Sequence, residues 1–448
     1  MYDIVILGGG PGGYVAAERA GRMGKKVLLV EKERLGGVCL NHGCVPTKSL
    51  LNSAKLYLHA LNSENYGVTV QGAEFSLEKA MKWKQNVVNT MVGGIEFLMK
   101  ENGVDVVMGE GTVHADGSVS VGNETYKGNS LIIASGSSPF LPPVPGIESS
   151  TVITSRDLLQ MEKLPGSLTV IGGGVIGMEF ASLFSSVGVT VTVIEMLEEV
   201  LPMMDKRMAK MVRASMEEVD FRLSSRVTRI KNDRVFFEQN GKEQSVQSDY
   251  ILVAVGRKAN VESFKNAGIA MGRGFVMVDE RMRTNLPNIY AIGDVTGKSM
   301  LAHSASRMGE VAVNTIAGKK DRMRYNAIPW ALYTTLEAAG CGLTEDAAKK
   351  EGRSIHVGKY QMKNNSRFYA EHGKAAGLCK IVADADTGVI LGIHFVGGVS
   401  SELIGGAAVI IESELRIQEI KEVIYPHPSL SEVIRDAVWQ INQGGNDA

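Results

Sequence analysis

The chain has 448 residues, 44% of them apolar, and carries 48 Lys and Arg against 49 Asp and Glu, a formal charge of −1. That length exceeds a single hydrophobic core and predicts two or three domains. The charge balance removes any global reason to bind nucleic acid or a membrane surface. The chain opens directly into the strand pattern DIVILGGG, residues 3–10, with no basic segment and cleavage site ahead of it, so no signal peptide is expected. The longest apolar run, LTVIGGGVIGMEFASLF (168–184), is broken by glycines and carries Glu179, which argues against a transmembrane helix. A cytosolic enzyme is the expectation. In a reducing compartment a close cysteine pair is more often catalytic or metal-binding than a structural staple.

The strongest signal is an internal repeat. VILGGGPGGYVAAERAGRMGKKVLLVEK (5–32) and TVIGGGVIGMEFASLFSSVGVTVTVIEM (169–196) align without a gap. Gly8, Gly10 and Gly13 fall on Gly172, Gly174 and Gly177, and Glu31 falls on Glu195. Each copy reads strand, G-x-G-x-x-G, amphipathic helix, strand, acid. The first glycine makes a tight turn, the second admits a pyrophosphate to the backbone, and the third lets helix pack on strand. The helix N-terminus then faces the phosphates and the acid accepts from a ribose. Two dinucleotides are expected.

Further along, LIIASGSSP (131–139) and YILVAVGRKAN (250–260) read as buried strands, each closing one dinucleotide-binding sheet, and NIYAIGDV (288–295) is a third such strand ending near Asp294. The proline-rich SPFLPPVPG (138–146) reads as the point where the chain leaves the first unit, to return after VAVGRKAN. From about Asn326 the texture changes. GLCKIVADADTGVILGIHFVG (377–397) predicts two strands around an Asp-Thr-Gly turn, and SELIGGAAVIIESEL (401–415) has helical periodicity. The class is α/β: two Rossmann-like dinucleotide-binding domains plus a C-terminal α+β domain.

Between the first acid and the next strand lies GGVCLNHGCVPTK (36–48), which holds two of the chain's 4 cysteines. Three readings compete for Cys39 and Cys44: a zinc site lacking two further ligands at suitable spacing, inert thiols, or a redox disulfide. In a regular helix residues five apart lie roughly 8–9 Å apart at Cα, too far for a disulfide. The third reading therefore requires a distorted segment, and Gly43 and Pro46 are the residues that would permit it.

This segment resembles the redox-active stretch of the flavin-dependent pyridine nucleotide–disulfide oxidoreductases. The likeness runs the length of the chain in family order: first Rossmann unit, cysteine pair, ASGSSP, second unit, VGRKAN, YAIGDV, LAHSA and HPSLSE. It implies an FAD enzyme that oxidises a dithiol through a redox-active disulfide and reduces NAD. It also implies a homodimer serving a lipoylated protein of a 2-oxo acid dehydrogenase complex or a glycine cleavage system. Residues 1–140 and 258–325 would form the FAD-binding domain, 141–257 the NAD-binding domain and 326–448 the dimerisation domain. By the same resemblance Gly8, Gly10, Gly13, Glu31, Lys48, Gly111, Ala134, Ser135, Gly136, Asp294, Met300, Leu301, Ala302 and His303 would hold FAD. Gly172, Gly174, Gly177, Glu195, Val227 and Gly256 would hold NAD, and no metal is implied. Lys48 and Glu179 match the family's ion pair beside the flavin, and His427 and Glu432 match its acid–base pair.

The last pair has a physical rationale. Thiol–disulfide exchange needs a thiolate, and an ordinary thiol is mostly protonated at neutral pH. A histidine oriented by a carboxylate is suited to take that proton. The second unit's strand ends in Glu195 and MLEEVLPMMD (196–205) follows with no basic residue for a 2′-phosphate, which favours NAD over NADP. The ending NQGGNDA lacks the adjacent cysteines of the metal-reducing members. Three departures from the family stand out: His42 where an aliphatic residue is usual, ASGS for ATGS, and YTTLEAAGCGLTE (333–345), which has Cys341 and lacks a usual proline. A flavoprotein with an inert disulfide and a binding or scaffolding role is the competing class of function.

Overall fold

The computed structural model describes residues 1–441; the ending NQGGNDA lies outside them. Three five-stranded sheets organise the chain. The first is parallel throughout, in the order Ile289–Ala291, Gly128–Ile133, Tyr2–Leu7, Val27–Glu31, Val104–Met108. Its central strands are apolar on both faces because helices and loops cover both. Ile4, Ile6, Val27 and Leu29 join one core, and Val5, Leu7, Leu28 and Val30 join another.

The second sheet repeats the first. Its order is Val219–Arg222, Thr190–Ile194, Ser167–Ile171, Tyr250–Val253, Val152–Ile153, again parallel. Even the register is kept: Leu7 pairs with Val30 and, 164 residues on, Ile171 pairs with Ile194. The repeat extends beyond the motif. Each unit places a three-stranded antiparallel meander before its next parallel strand, Gly111–Tyr126 in one and Ser225–Gln247 in the other. Neither Gly128–Ile133 nor Tyr250–Val253 closes its sheet, because one more strand lies outside each.

The third sheet is antiparallel, in the order Trp330–Leu332, Ala338–Gly342, Ile390–Val396, Leu378–Asp384, Ile355–Gln361. The hairpin expected around Asp386-Thr387-Gly388 is present, and helix Ser400–Glu412 follows it. Ile404, Ala407 and Ile411 of this helix bury against Ile393 and Phe395 of the sheet. Among the described residues no helix is long and apolar enough to cross a membrane.

Two features tie the units together. Helix Cys44–Leu61 turns Leu50, Leu51 and Ala54 into the core built around Met178, Phe180 and Phe184 of the second unit. Burial of each large side chain there contributes about 1.5–3 kcal/mol. The two links between the nucleotide units, Ser137–Pro139 and Arg257–Ala259, pair as a short antiparallel ladder.

Candidate active site

In each unit the glycine motif works through close approach. A Cβ on Gly13 would lie 1.8 Å from the Gly8 carbonyl oxygen, and one on Gly177 would lie 2.0 Å from that of Gly172. No side chain fits there, so helix and strand meet through backbone alone. The acids are buried and hold their loops. Glu31 accepts from Gly9 N at 2.7 Å and Glu33 N at 2.8 Å; Glu195 accepts from Gly173 N at 2.6 Å and Leu197 N at 2.8 Å. Each oxygen keeps acceptor capacity for a ribose, since a carboxylate offers about four lone-pair positions. Space for the pyrophosphates is present too. A Cβ on Gly174 would meet nothing within 4 Å, and one on Gly10 would meet only the Gly37 Cα, at 3.8 Å. The residues present fit two dinucleotides.

The cysteine segment breaks where the geometry requires. Helix Gly37–His42 ends and helix Cys44–Leu61 begins across Gly43, whose φ of −146° and ψ of −114° belong to neither. Pro46 does not contribute to the break. It lies in the first turn of the second helix, where its missing N–H costs nothing. Gly37 packs the segment onto the first nucleotide loop: a Cβ there would lie 2.6 Å from the Gly10 Cα.

Cys39 lies within helix Gly37–His42 and Cys44 begins the next helix. They are not equivalent. Cys44 opens its helix, at the N-terminal end that favours an anion. The hydrogen bond from the Cys39 thiol brings Cys44 down to about 7, with the Lys48 ammonium assisting. The same bond, together with burial, pushes Cys39 up. The pair is therefore unequal, with the negative charge favoured at Cys44 and the proton at Cys39.

One turn after Cys44, Lys48 bonds both oxygens of the buried Glu179 at 2.9 and 2.7 Å, joining the cysteine helix to helix Val175–Ser186 of the second unit. Tyr333, which the sequence did not single out, completes this arrangement. Its N–H donates to Glu179 at 3.2 Å and its ring lies 4.7 Å from the Lys48 ammonium. It sits in the segment marked by the absent proline, and that irregularity was the available signal.

His427 and Glu432 meet as expected, Nδ1 to Oε1 at 3.0 Å. Burial works to raise the Glu432 pKa, but the Ser429 N–H at 2.8 Å and His427 outweigh it and hold the carboxyl below the usual range. The His427 side chain is 72% exposed and shares no hydrogen bond or ion pair with the cysteine segment of its own chain among the described residues.

Of the other expected positions, Ala134 to Gly136 border the first loop, where a Cβ on Gly8 would strike the Ala134 carbonyl oxygen at 2.2 Å. Gly111 is held by packing, with Leu7 Cδ1 2.6 Å from its Cβ position. Met300 and Leu301 lead into helix Ala302–Ile316, which Ala302 and His303 begin, and His303 Nε2 lies 2.8 Å from the Pro329 carbonyl oxygen. Asp294 lies in the short turn Gly293–Thr296 that follows the edge strand of the first sheet. Val227 sits at a register shift in the second unit's meander, and Gly256 has a φ of 132° just past that unit's sheet.

The departures have simple outcomes. His42 faces Glu33, 3.7 Å away, which also pairs with Arg156 at 3.0 Å. Ser135 donates to the Asn260 carbonyl oxygen at 2.8 Å, a bond that needs only the hydroxyl. Burial pushes the Cys341 thiol up to about 12, so it is inert at neutral pH. Among the described residues no group of three or more His, Cys, Asp or Glu could hold a metal ion.

A dithiol pair wedged between two dinucleotide folds defines a pyridine-nucleotide-linked thiol–disulfide redox protein. A profile of pyridine nucleotide-disulphide oxidoreductases matches residues 2–309, and one of that family's dimerisation domain matches residues 328–438. The chain belongs to this family. It is 38% identical to a dihydrolipoyl dehydrogenase of Bacillus subtilis, covering 97% of each chain. It is 37% identical to that of Thermus scotoductus, over 99% of this chain and 98% of the relative. Among solved structures it is similar to LpdA of Mycobacterium tuberculosis (27% identity, 97% and 98% coverage, TM-score 0.88) and to the HOCl-induced flavoprotein disulfide reductase RclA of Escherichia coli (28%, 98% and 100%, TM-score 0.87).

Proposed function

We propose that the protein is a dihydrolipoyl dehydrogenase, taking two electrons and two protons from a protein-bound dihydrolipoyl group, closing its disulfide, and reducing NAD to NADH with release of a proton. The observation that carries this reading is the unequal cysteine pair beside the Lys48–Glu179 bridge, between two nucleotide loops. The domain division at 140, 257 and 325 follows from the same reading. FAD, when bound, supplies the two-electron acceptor between the thiols and the nicotinamide.

The chain's own residues bind, orient and move protons. Gly8, Gly10, Gly13, Glu31, Gly111, Ala134 to Gly136, Asp294 and Met300 to His303 hold FAD. Gly172, Gly174, Gly177, Glu195, Val227 and Gly256 hold NAD. In the oxidised protein Cys39 and Cys44 form a disulfide. His427, kept in one tautomer by Glu432, takes a proton from the substrate dithiol. The resulting thiolate attacks Cys39 Sγ, the Cys39–Cys44 bond breaks, and Cys44 leaves as the thiolate its helix N-terminus favours. The second substrate thiol then displaces Cys39, its proton passing to the departing Cys39 sulfur, and the lipoyl ring closes.

His427 shares no hydrogen bond or ion pair with the cysteines of its own chain among the described residues, and a two-fold dimer offers it those of the other. Each site then takes its cysteines from one protomer and His427 of the partner subunit. The test is turnover of dihydrolipoamide with NAD, with NADP in parallel. Robust NAD reduction and weak NADP reduction support the reading, and absent turnover by flavin-loaded protein removes it. For the shared site, inactive Cys44→Ser and His427→Ala proteins are mixed under conditions of subunit exchange. Recovery of about a quarter of the sites is expected, and activity no higher than that of the separate mutants would refute the shared arrangement.

A further inference from the structure

Arg257 belongs to the segment where the chain returns from the second nucleotide unit, immediately after Gly256. Its side chain is only 14% exposed. A buried guanidinium needs hydrogen-bond partners, and two of its donors converge on one residue. Nε donates to Ser137 Oγ at 2.7 Å and Nη2 donates to the Ser137 carbonyl oxygen at 2.6 Å. That grip fixes the hydroxyl's role. With its oxygen accepting from Arg257, the single Ser137 proton points the other way, to Asp294 Oδ2 at 2.5 Å. The guanidinium itself stays 3.8 Å from the carboxylate. Asp294 Oδ1 has no hydrogen-bond partner among the described residues, although the side chain is only 23% exposed.

We propose that Arg257 is a positioning residue for the flavin site: through Ser137 it locks the Asp294 carboxylate so that Oδ1 is presented as an acceptor to a hydroxyl of the bound flavin nucleotide. The inference rests on the reading of Asp294 as a flavin ligand. It extends that reading to two residues to which the family resemblance gave no cofactor role. The fork shape of arginine is essential to the argument, because one ammonium cannot hold a hydroxyl and a carbonyl at fixed angles while directing the hydroxyl's proton elsewhere. The arrangement also places one residue across both cofactor sites. Gly256, assigned to NAD, is its chain neighbour, and the ladder between 137–139 and 257–259 is the pivot between the two units. A second clasp at this pivot touches neither Asp294 nor a residue assigned to FAD: Ser138 Oγ donates to Asn260 Oδ1 at 2.7 Å. It provides an internal control.

The experiment measures FAD affinity of the deflavinated full-length protein by fluorescence titration, with thermal unfolding of each apoprotein alongside. The variants are Arg257→Met, Arg257→Lys, Ser137→Ala, Ser138→Ala and Asp294→Asn, together with the double variant of Arg257→Met and Asp294→Asn. Arg257→Met and Ser137→Ala are expected to weaken FAD binding about tenfold, the weight of a hydrogen bond to a charged group. Arg257→Lys fails to restore it. Ser138→Ala, which loosens the pivot alone, leaves affinity within about twofold of wild type. In the Asp294→Asn background Arg257→Met adds less than about twofold, because the two act as one unit. An equal loss from Arg257→Met in both backgrounds would overturn the proposal, as would full rescue by lysine. Unchanged affinity in Asp294→Asn would overturn the flavin assignment of Asp294 and the proposal with it. Ser137→Ala removes one hydroxyl oxygen and keeps the test valid if the arginine variants fold poorly.

Discussion

The two nucleotide units were written to one plan and differ where their cofactors differ. Strand register, acid-to-loop bonds and meander coincide. The first unit, however, carries the cysteine helices between Glu31 and Val104, and Gly37 brings them down onto its glycine loop. The second unit has only the short helix Lys206–Ala214 in the equivalent place, and its loop at Gly174 stays open. Met196 and Leu197, next to Glu195, are exposed. A loop roofed by its own chain suits a resident cofactor that must stay against the thiols, and an open one suits a dinucleotide that arrives and leaves with each turnover. Under the proposed assignment, the insertion marks the copy that keeps its nucleotide and sets the direction of the electron path.

Substitutions at the insertion have the largest expected effects. Cys44→Ser should lower dihydrolipoamide turnover by at least about a thousandfold, since it removes the leaving thiolate of the pair. Cys39→Ser should be equally inactive but leave Cys44 as a free thiolate, giving a long-wavelength charge-transfer absorbance in the flavin-loaded protein that Cys44→Ser lacks. Reversed spectra would exchange the two roles.

The glycine loops give the next largest effect and test the comparison directly. Gly13→Ala forces a Cβ toward a carbonyl oxygen now 1.8 Å from that position. The protein should purify largely without flavin, with its melting transition lowered, as absorbance and calorimetry would show. Retention of stoichiometric flavin would contradict the assignment of the first unit.

Glu195→Ala should narrow the preference for NAD over NADP by about tenfold or more in kcat/KM, because a carboxylate beside the ribose repels a 2′-phosphate. The matching Glu31→Ala should leave that ratio unchanged, and a shift there instead would swap the two units.

The smallest effect is a titration. In Cys39→Ser the charge-transfer absorbance should fade as pH falls, at a midpoint above the value of about 7 of the intact pair, because the thiol donor that most lowers Cys44 is removed. Lys48→Met removes an attractive charge and should raise the midpoint by about one unit. A midpoint that does not move would mean the ammonium is not felt at the sulfur.

The parts legible in the sequence are those where chemistry constrains spacing along the chain. Glycines at fixed intervals are backbone requirements of a phosphate loop, and Gly43 between two cysteines is a requirement of closing them, so both could be read without the fold. Pro46 was misread because a proline in a first turn and a proline at a break look alike in sequence. Tyr333 on Glu179, and Arg257 on Ser137, are meetings of residues 154 and 120 positions apart, which no periodicity reports. The buried Lys380 is a further case. It joins Asp205 of the second unit to Glu345 of the C-terminal domain at 2.5 and 2.6 Å, yet in sequence it is one lysine within an apolar strand. The meanders were missed for another reason: the first has strands of only 3 residues and the second is partly exposed along its length, so neither copy announced the other.

The central claim is that electrons pass from the thiol pair to a nucleotide in the first unit and then to one in the second, and separating the half-reactions tests it most directly. In Gly177→Ala the added Cβ faces the Gly172 carbonyl oxygen 2.0 Å away, so the second loop is spoiled while the first is untouched. The measurement is anaerobic stopped-flow reduction of the flavin-loaded variant by dihydrolipoamide, followed by mixing with NAD. The account predicts reduction at the wild-type rate and reoxidation by NAD slowed at least about a hundredfold. Loss of dithiol reduction with intact exchange between the flavin and NADH would contradict it.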